Sequence, residues 1–280
     1  MKKFNRVAII GVGLIGGSIG LAVRKHHLAK EVVGVCRTSR SIRLAKKIGA
    51  IDWGTVRLSE ALRGADLVIL ATPISAMHPL ARQIALHLKP GSLVIDVAST
   101  KQKVIRDLEE IFPPGILFVG SHPLAGREKT SASFATADLF RKAPCFVVPT
   151  RRSDPKSIQT ICLFWKALGG KVIRVKAEQH DEIVSKVSHL PHIAAALLVL
   201  EAGRTPWVGN GFLDMTRIAS SEASLWRDIL FSNRLQMLKT LRRFRRRLDG
   251  MVILLEKKDR QAVLRRLQKA KRLREWRVVR

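Results

Sequence analysis

The sequence predicts an α/β fold in which a doubly wound, Rossmann-type parallel sheet precedes an all-helical C-terminal domain. Short, uncharged β-branched runs alternate with helical patterns over the first half of the chain, and a glycine-rich turn joins the first run to the first helix. After residue 150 the pattern becomes mainly helical. We therefore expect a Rossmann domain over residues 1–150 and a mainly helical domain over residues 151–280.

The predicted elements follow the chain in this order. Strands are expected at residues 6–10, 31–36, 66–71, 92–96, 116–120 and 145–148, and helices at residues 14–27, from 37 to 48 and between 71 and 92. The C-terminal part is expected to hold one further strand at residues 171–175 and helices at residues 178–202, 221–255 and 259–276.

Composition restricts the class of protein. The 280 residues include 51 Lys and Arg against 22 Asp and Glu, which gives a net charge of +29, yet 46% are apolar and 26% charged, as in globular proteins. Such charge is typical of nucleic-acid-binding proteins and also suits an enzyme of anionic substrates. The three cysteines, Cys36, Cys145 and Cys162, form no disulfide framework, so we expect a cytoplasmic location.

The uncharged run over residues 7–23 resembles a signal peptide or a membrane span. It is shorter than the ~20 residues that a spanning helix needs, and it carries five glycines. No later stretch is expected to be long enough to span a bilayer, and the sequence predicts a soluble protein without membrane contact.

A GxGxxG motif lies between the first predicted strand and the first predicted helix. Gly11 permits a tight turn, Gly13 lets the backbone approach a pyrophosphate, and Gly16 allows close packing of helix and strand. This context predicts dinucleotide binding. The predicted cofactor-binding residues of this turn are Gly11, Val12, Gly13, Leu14, Ile15 and Gly16.

The end of the second predicted strand bears on the choice of cofactor. NAD-binding folds usually place a carboxylate there for the ribose hydroxyls, whereas this chain has Cys36 followed by Arg37, Thr38 and Ser39. Arg and hydroxyl side chains can bind a 2′-phosphate, so the sequence favours NADP over NAD. A third predicted strand ends in the same crevice, with the cofactor-binding residues Ala71, Thr72 and Pro73.

A histidine in the motif GSHPLAG (residues 120–126) is held between a strand end and a proline, as suits a general base. Together with GVGLIGGSIG, DVASTK, SHLPH (residues 188–192) and the later blocks TRIA and LWRD, this motif makes the chain resemble the prephenate/arogenate dehydrogenase family of tyrosine biosynthesis. The resemblance covers nearly the whole chain in the right order. Other Rossmann nicotinamide oxidoreductases with helical C-terminal domains are a remoter alternative.

The resemblance implies the roles of individual residues. His122 would accept the proton of the substrate ring hydroxyl, Ser99 would hydrogen-bond that hydroxyl or His122, and Arg217 would pair with a substrate carboxylate. The remaining substrate-binding residues that it implies are His189, His192, Glu128, Arg127 and Trp226. No cluster with metal-ligand spacing occurs, and no metal is expected.

The implied reaction is the oxidative decarboxylation of prephenate, with hydride transfer to a nicotinamide cofactor. The alternative substrate is arogenate, which has an ammonium in place of the side-chain keto group; Arg127 and the general basicity favour prephenate. Residues 234–280 hold 18 Lys and Arg against 4 Asp and Glu, with apolar residues at helical spacing. The resemblance assigns these helices to a homodimer interface, and no nucleic-acid partner is expected.

Overall fold

The computed structural model describes residues 3–126, 129 and 131–278, the side chains of residues 277 and 278 excepted. Its strands are β1 Phe4–Ile10, β2 Ala29–Val35, β3 Trp53–Thr55, β4 Leu67–Leu70, β5 Leu93–Asp96, β6 Leu117–Pro123, β7 Pro144–Pro149 and β8 Lys171–Arg174. In the described part of the chain they form one sheet in the order β3-β2-β1-β4-β5-β6-β7-β8. The predicted Rossmann-type fold is therefore confirmed.

The first six helices cover the sheet and connect its strands. They are α1 Leu14–Lys25, α2 Ser39–Lys47, α3 Leu58–Leu62, α4 Ile74–Ala85, α5 Gln102–Ile111 and α6 Pro155–Ala167. The later helices are α7 Ala177–Val184, α8 Leu190–Ala202, α9 Asn210–Thr216, α10 Ala223–Ser232, α11 Arg234–Glu256 and α12 Arg260–Val278. The elements β3, α3, α5, α6 and α9 are additions to the predicted order.

Each strand pair of the sheet is parallel except β6 and β7, which run antiparallel. A parallel pair needs a crossover connection, usually a helix. Between β6 and β7 the described residues contain a single 3₁₀ turn, Ala132–Phe134. The chain therefore returns beside β6 in the opposite direction, which the apolar pattern of β7 did not reveal.

Apolar clusters cover both faces of the sheet, and every residue of β4 is buried. This explains the uninterrupted apolar runs in the sequence, because a central strand of a doubly wound sheet has no solvent face. The carboxyl ends of β1, β4, β5 and β2 meet at one edge, where ligands of such sheets bind.

The helix predicted over residues 178–202 is one helical stretch, Ala177–Ala202, interrupted by a π turn at Ser185–His189. Its 26 residues have a mean hydropathy of 1.6, so by length and composition it could cross a membrane. The expectation that no later stretch would be long enough to span a bilayer was wrong. The charged residues of this stretch lie towards its two ends, and residues 187–200 contain no Asp, Glu, Lys or Arg.

By internal contacts the chain divides into two compact units, residues 1–234 and residues 235–280. Within the first unit, the sheet continues beyond residue 150, because β8 pairs with β7. The helix α6 connects these two strands. The domain boundary at residue 150 stays a prediction.

The predicted helix over residues 221–255 is interrupted at Asn233, which separates α10 from α11. In the second unit, a Cβ at Gly250 would lie 3.1 Å from the Arg266 guanidinium.

Candidate active site

The glycine turn closes against the end of β4. Gly11 has φ +96°, and a Cβ added there would lie 2.7 Å from the Ala71 carbonyl oxygen. A Cβ added at Gly16 would lie 2.1 Å from the carbonyl oxygen of Gly11. These contacts require glycine at both positions, since other residues would move the backbone.

The residues of this crevice fit a dinucleotide. Gly13 is the N-cap of α1 and offers no side chain to the first N–H groups of the helix, which can therefore face a pyrophosphate. The Thr72 hydroxyl, beside Gly11, is buried without a hydrogen-bond partner among the described residues. Because buried polar atoms are normally paired, this hydroxyl is a candidate contact for the bound cofactor.

The end of β2 carries the residues predicted to choose between the cofactors. The Cys36 side chain is buried, and Arg37 is exposed. Thr38 is the N-cap of α2, where its hydroxyl oxygen accepts a hydrogen bond of 3.2 Å from the Ser41 N–H. The first turn of α2, which begins at Ser39, holds no carboxylate.

A buried ion pair follows β5. The Asp96 carboxylate, at the end of that strand, binds the Lys101 ammonium, and both side chains are 0% exposed. Asp96 also accepts a hydrogen bond of 2.9 Å from the Ala98 N–H, which closes the turn. Burial lowers the pKa of Lys101, while the charge of Asp96 acts in the opposite direction. This pair stiffens the DVASTK turn.

A chain of three hydrogen-bonded side chains runs behind this turn. His122, on β6, is joined through Nδ1 to His180 Nε2 over 2.9 Å, and His180 Nδ1 lies 2.8 Å from the Asp181 carboxylate. Asp181 accepts two further hydrogen bonds, from the Lys101 N–H at 2.7 Å and the Gln102 N–H at 2.9 Å. Asp181 thereby joins α7 to the start of α5.

These contacts determine the protonation pattern of the two rings. Asp181 is an acceptor, so His180 must donate from Nδ1, and His180 Nε2 is left as an acceptor. His122 must then donate from Nδ1, which leaves a lone pair on its Nε2. The geometry thus presents His122 Nε2 as a base.

The electrostatics of the chain agree with neutral imidazoles. Burial holds the pKa of His122 well below its ordinary value, and His180, Lys101 and His189 lower it further. Burial also lowers the pKa of His180, although its hydrogen bond to Asp181 acts in the opposite direction. Burial raises the pKa of Asp181, but hydrogen bonds from His180 and the Gln102 N–H outweigh it and lower that pKa.

A second histidine is oriented by Asn233. The Asn233 amide nitrogen donates to the Asp181 carbonyl oxygen over 2.8 Å and lies 3.3 Å from His189 Nδ1. His189 therefore accepts at Nδ1 and carries its hydrogen on Nε2, a buried atom with no partner among the described residues. Burial lowers the pKa of His189 to about 4. It is a neutral donor that can bind a ligand oxygen.

Among the described residues, the Ser121 hydroxyl, next to His122 in sequence, and His192 Nδ1 are also buried without a hydrogen-bond partner, as is Trp165 Nε1 in α6. The His192 ring stacks on Trp226 with centroids 3.6 Å apart and planes at 7°. Trp226 also meets His189 edge-on at 6.0 Å. The stack holds Trp226 against the SHLPH segment. A ligand beside His189 and His192 would find unpaired polar atoms.

The structure places the other predicted residues as follows. Ser99 is half-buried in the turn after β5, and no hydrogen bond to His122 is found in the described residues. Arg217 is exposed at the end of α9. Arg127 and Glu128 lie outside the described residues. The roles of these four residues stay predictions.

Asp96 and Lys101 lie in the DVASTK motif but had no predicted role, and His180, Asp181 and Asn233 were not among the predicted site residues. One signal was present: a His-Asp pair within an apolar helical stretch needs a partner if it is buried. The π turn that follows this pair and ends at His189 could not be predicted from the sequence. Such turns frequently occur at functional sites.

Comparison with known proteins identifies the family. A profile described as "Prephenate dehydrogenase, nucleotide-binding domain" matches residues 19–174, and one described as "Prephenate dehydrogenase, dimerization domain" matches residues 176–269. The prephenate dehydrogenase of Bacillus subtilis is 32% identical over 276 residues, which are 95% of this chain and 74% of that protein. The chain belongs to the prephenate dehydrogenase family.

Solved structures of the same family share the whole fold. The A. aeolicus prephenate dehydrogenase in complex with hydroxyphenyl propionate and NAD+ superposes with a TM-score of 0.91 and 31% identity, covering 98% of each chain. The Synechocystis arogenate dehydrogenase gives a TM-score of 0.82 and 27% identity over 96% of this chain and 99% of that chain. The predicted family and dinucleotide-binding fold are confirmed.

Proposed function

We propose that this chain catalyses the oxidative decarboxylation of prephenate to 4-hydroxyphenylpyruvate, with a nicotinamide cofactor as hydride acceptor. The position of His122 carries the proposal. Its Nδ1 is engaged by His180, and its Nε2 lone pair is available in the same sheet whose carboxyl edge forms the dinucleotide crevice. A base of this kind is what the oxidation of a ring alcohol requires.

A nicotinamide cofactor held by the turn Gly11–Gly16 would supply the acceptor for the hydride of the carbinol carbon. His122 Nε2 accepts the hydroxyl proton. The ring carboxylate then leaves as carbon dioxide, and its electron pair completes an aromatic ring, which makes the overall reaction favourable. The protein must hold the reacting carbon and two anionic groups in place. For the anionic groups we propose Arg217, together with the unpaired donor of His189 and the polar atom of His192.

The described carboxylates near His122 favour prephenate over arogenate. Arogenate carries an ammonium, which would need a carboxylate or free carbonyl groups as partners. Among the described side chains around His122, Asp96 is bound to Lys101, and Asp181 is bound to His180 and two backbone N–H groups. Both carboxylates are therefore committed within the protein.

The cofactor preference that we propose is NADP. The end of β2 has an exposed Arg37 and no carboxylate in the first turn of α2, an arrangement that suits a 2′-phosphate. The Arg37→Ala variant should raise the KM for NADP about tenfold, because one charge-assisted hydrogen bond is lost. The KM for NAD should stay nearly unchanged. The matched control is Arg43→Ala, which removes an exposed arginine about one turn into α2. A wild-type preference for NAD would contradict the assignment.

We also propose that the chain acts as a cytoplasmic homodimer joined through its C-terminal helices. The helix α8 exposes four apolar side chains, Leu197, Leu198, Val199 and Leu200. A second copy of the chain packed on this helix would bury them. Light scattering should give twice the mass of one chain. Leu200→Glu should shift the mass towards one chain, whereas Leu86→Glu, also on an exposed leucine, should not.

One assay tests the main proposal. Purified protein is mixed with prephenate or arogenate, each with NAD or NADP, and cofactor reduction is followed by the nicotinamide absorbance. We expect the highest kcat/KM with prephenate. Faster turnover of arogenate would reverse the choice of substrate, and no reduction in any combination would overturn the proposal.

A further inference from the structure

His122 is a poor final position for a proton. Its side chain is only 7% exposed, and positive or neutral groups face it from several elements: Lys101 from the turn after β5, His180 from α7 and His189 from the π turn. The carboxylate of Asp96 is bound to Lys101. An imidazolium at His122 would therefore lie in a buried region without a counter-ion of its own.

His180 is better surrounded for a positive charge. It is completely buried, it lies 2.9 Å from His122, and its other nitrogen lies 2.8 Å from the Asp181 carboxylate. The edge of His180 also meets the Phe146 ring at 5.0 Å and 88°, which helps to hold the imidazole in place. Asp181 is itself held by two backbone N–H groups, so the ionised form of this carboxylate is stabilised.

We propose that the proton accepted by His122 passes on to His180, which holds it as the imidazolium partner of Asp181 during turnover. This inference rests on the proposed function, because the proton comes from the substrate hydroxyl. His180 and Asp181 are positioning residues in this scheme, since they act on the substrate through His122.

The transfer conserves both protons and charge. His122 Nε2 forms a bond to the substrate proton, the His122 Nδ1–H bond breaks, and that proton binds His180 Nε2. His122 is then neutral with its hydrogen on Nε2, and His180 carries the positive charge beside Asp181. After product release, the His180 Nε2 proton returns to His122 Nδ1, and the Nε2 proton of His122 leaves to solvent through the emptied site.

The order of protonation of the two rings tests this scheme without substrate or cofactor. Protein labelled with ¹⁵N-histidine is titrated towards acid and followed by NMR, with His122→Asn and His180→Gln used to assign the signals. We expect His180 to take the first proton and neutral His122 to carry its hydrogen on Nδ1. Protonation of His122 before His180, or a hydrogen on its Nε2, would overturn the proposal.

Kinetics supply a second test. His180→Gln can still accept the His122 Nδ1–H bond through its amide oxygen, but it cannot take the proton. We expect kcat to fall by about 10²-fold, the lower range of general-base effects, with the substrate KM within a few-fold of wild type. The acidic limb of the profile of kcat/KM against pH should move to lower pH, because activity is lost when the proton-holding pair titrates.

A purely structural role for His180 would lower the rate without moving the acidic limb, and that result would overturn the proposal. Asp181→Asn should move the limb in the same direction, because His180 loses its counter-ion. His87→Gln, an exposed histidine after α4, is the control and should leave rate and profile unchanged. If wild-type protein reduces no cofactor, the proposed function fails instead, and the NMR titration still decides the order of protonation.

Discussion

The two sides of the active site are built from different kinds of groups. The cofactor side consists of backbone and small residues, with Gly11 and Gly16 packed against carbonyl oxygens. The proton side consists of buried titratable side chains, above all His122, His180 and Asp181, joined by hydrogen bonds. On the proposed function, the first side binds an anion by its shape and N–H groups, whereas the second acts through the protonation states of its side chains. Substitutions should therefore affect affinity on one side and rate on the other.

The largest difference between the effect on rate and the effect on cofactor affinity is expected from His122→Asn. This variant loses the base but keeps a polar side chain, so kcat should fall by about 10³- to 10⁴-fold, within the range for general-base catalysis. Cofactor affinity, measured by calorimetry, should stay near the wild-type value. Near-normal turnover would exclude His122 as the base, and lost cofactor binding would show that the two sides are not separate.

The complementary change on the cofactor side is Gly16→Ala. The new Cβ would lie 2.1 Å from the Gly11 carbonyl oxygen, so the turn must move. We expect the KM for the cofactor to rise by about 10²-fold, about 2.7 kcal/mol, with a smaller change in kcat. Gly209→Ala is the control, because a Cβ at Gly209 meets nothing within 4 Å. Equal effects of the two variants would contradict the tight-turn assignment.

Arg217→Ala tests whether substrate binding is distinct from proton transfer. If Arg217 pairs with a carboxylate, the substrate KM should rise about 10- to 100-fold, the range for hydrogen bonds to charged groups. The kcat and the cofactor KM should change little. Unchanged substrate affinity, measured in steady-state kinetics, would show that another residue binds the carboxylate.

A change in stability, rather than in rate or affinity, is expected from the proton side. The pKa of His189 in the folded protein is about 4, below the ordinary value of 6.5. The unfolded chain therefore binds a proton that the folded protein does not, and stability falls as pH drops below about 6.5. At pH 5 this residue should cost about 2 kcal/mol relative to pH 7.

Urea unfolding at pH 7 and pH 5 measures this loss, and His189→Gln should reduce the difference between the two pH values. The other buried histidines, His122, His180 and His192, also have lowered pKa values and add to the loss in the same direction. An unchanged pH dependence in His189→Gln would contradict the burial of a neutral His189.

Much of the fold was predictable because its signals are local. Strands such as β4 are apolar throughout since both of their faces are covered, and the turn at Gly11 needs glycine for its positive φ. The antiparallel direction of β7 was not predictable, because its buried apolar pattern is the same in either direction. The break at Asn233 was also missed, since the apolar spacing continues on both sides of it.

The site shows the same division. The sequence by itself determined the dinucleotide turn, the family and the candidate base His122, because these depend on contiguous motifs. The partners of that base come from distant segments: His180 is 58 residues from His122, and Asn233 is 52 residues from Asp181. Only the tertiary structure brings them together, and hydrogen bonds at that distance along the chain decide which ring nitrogen carries the proton. The chemistry of a histidine is therefore set by its neighbours in space, which its position in the sequence does not contain.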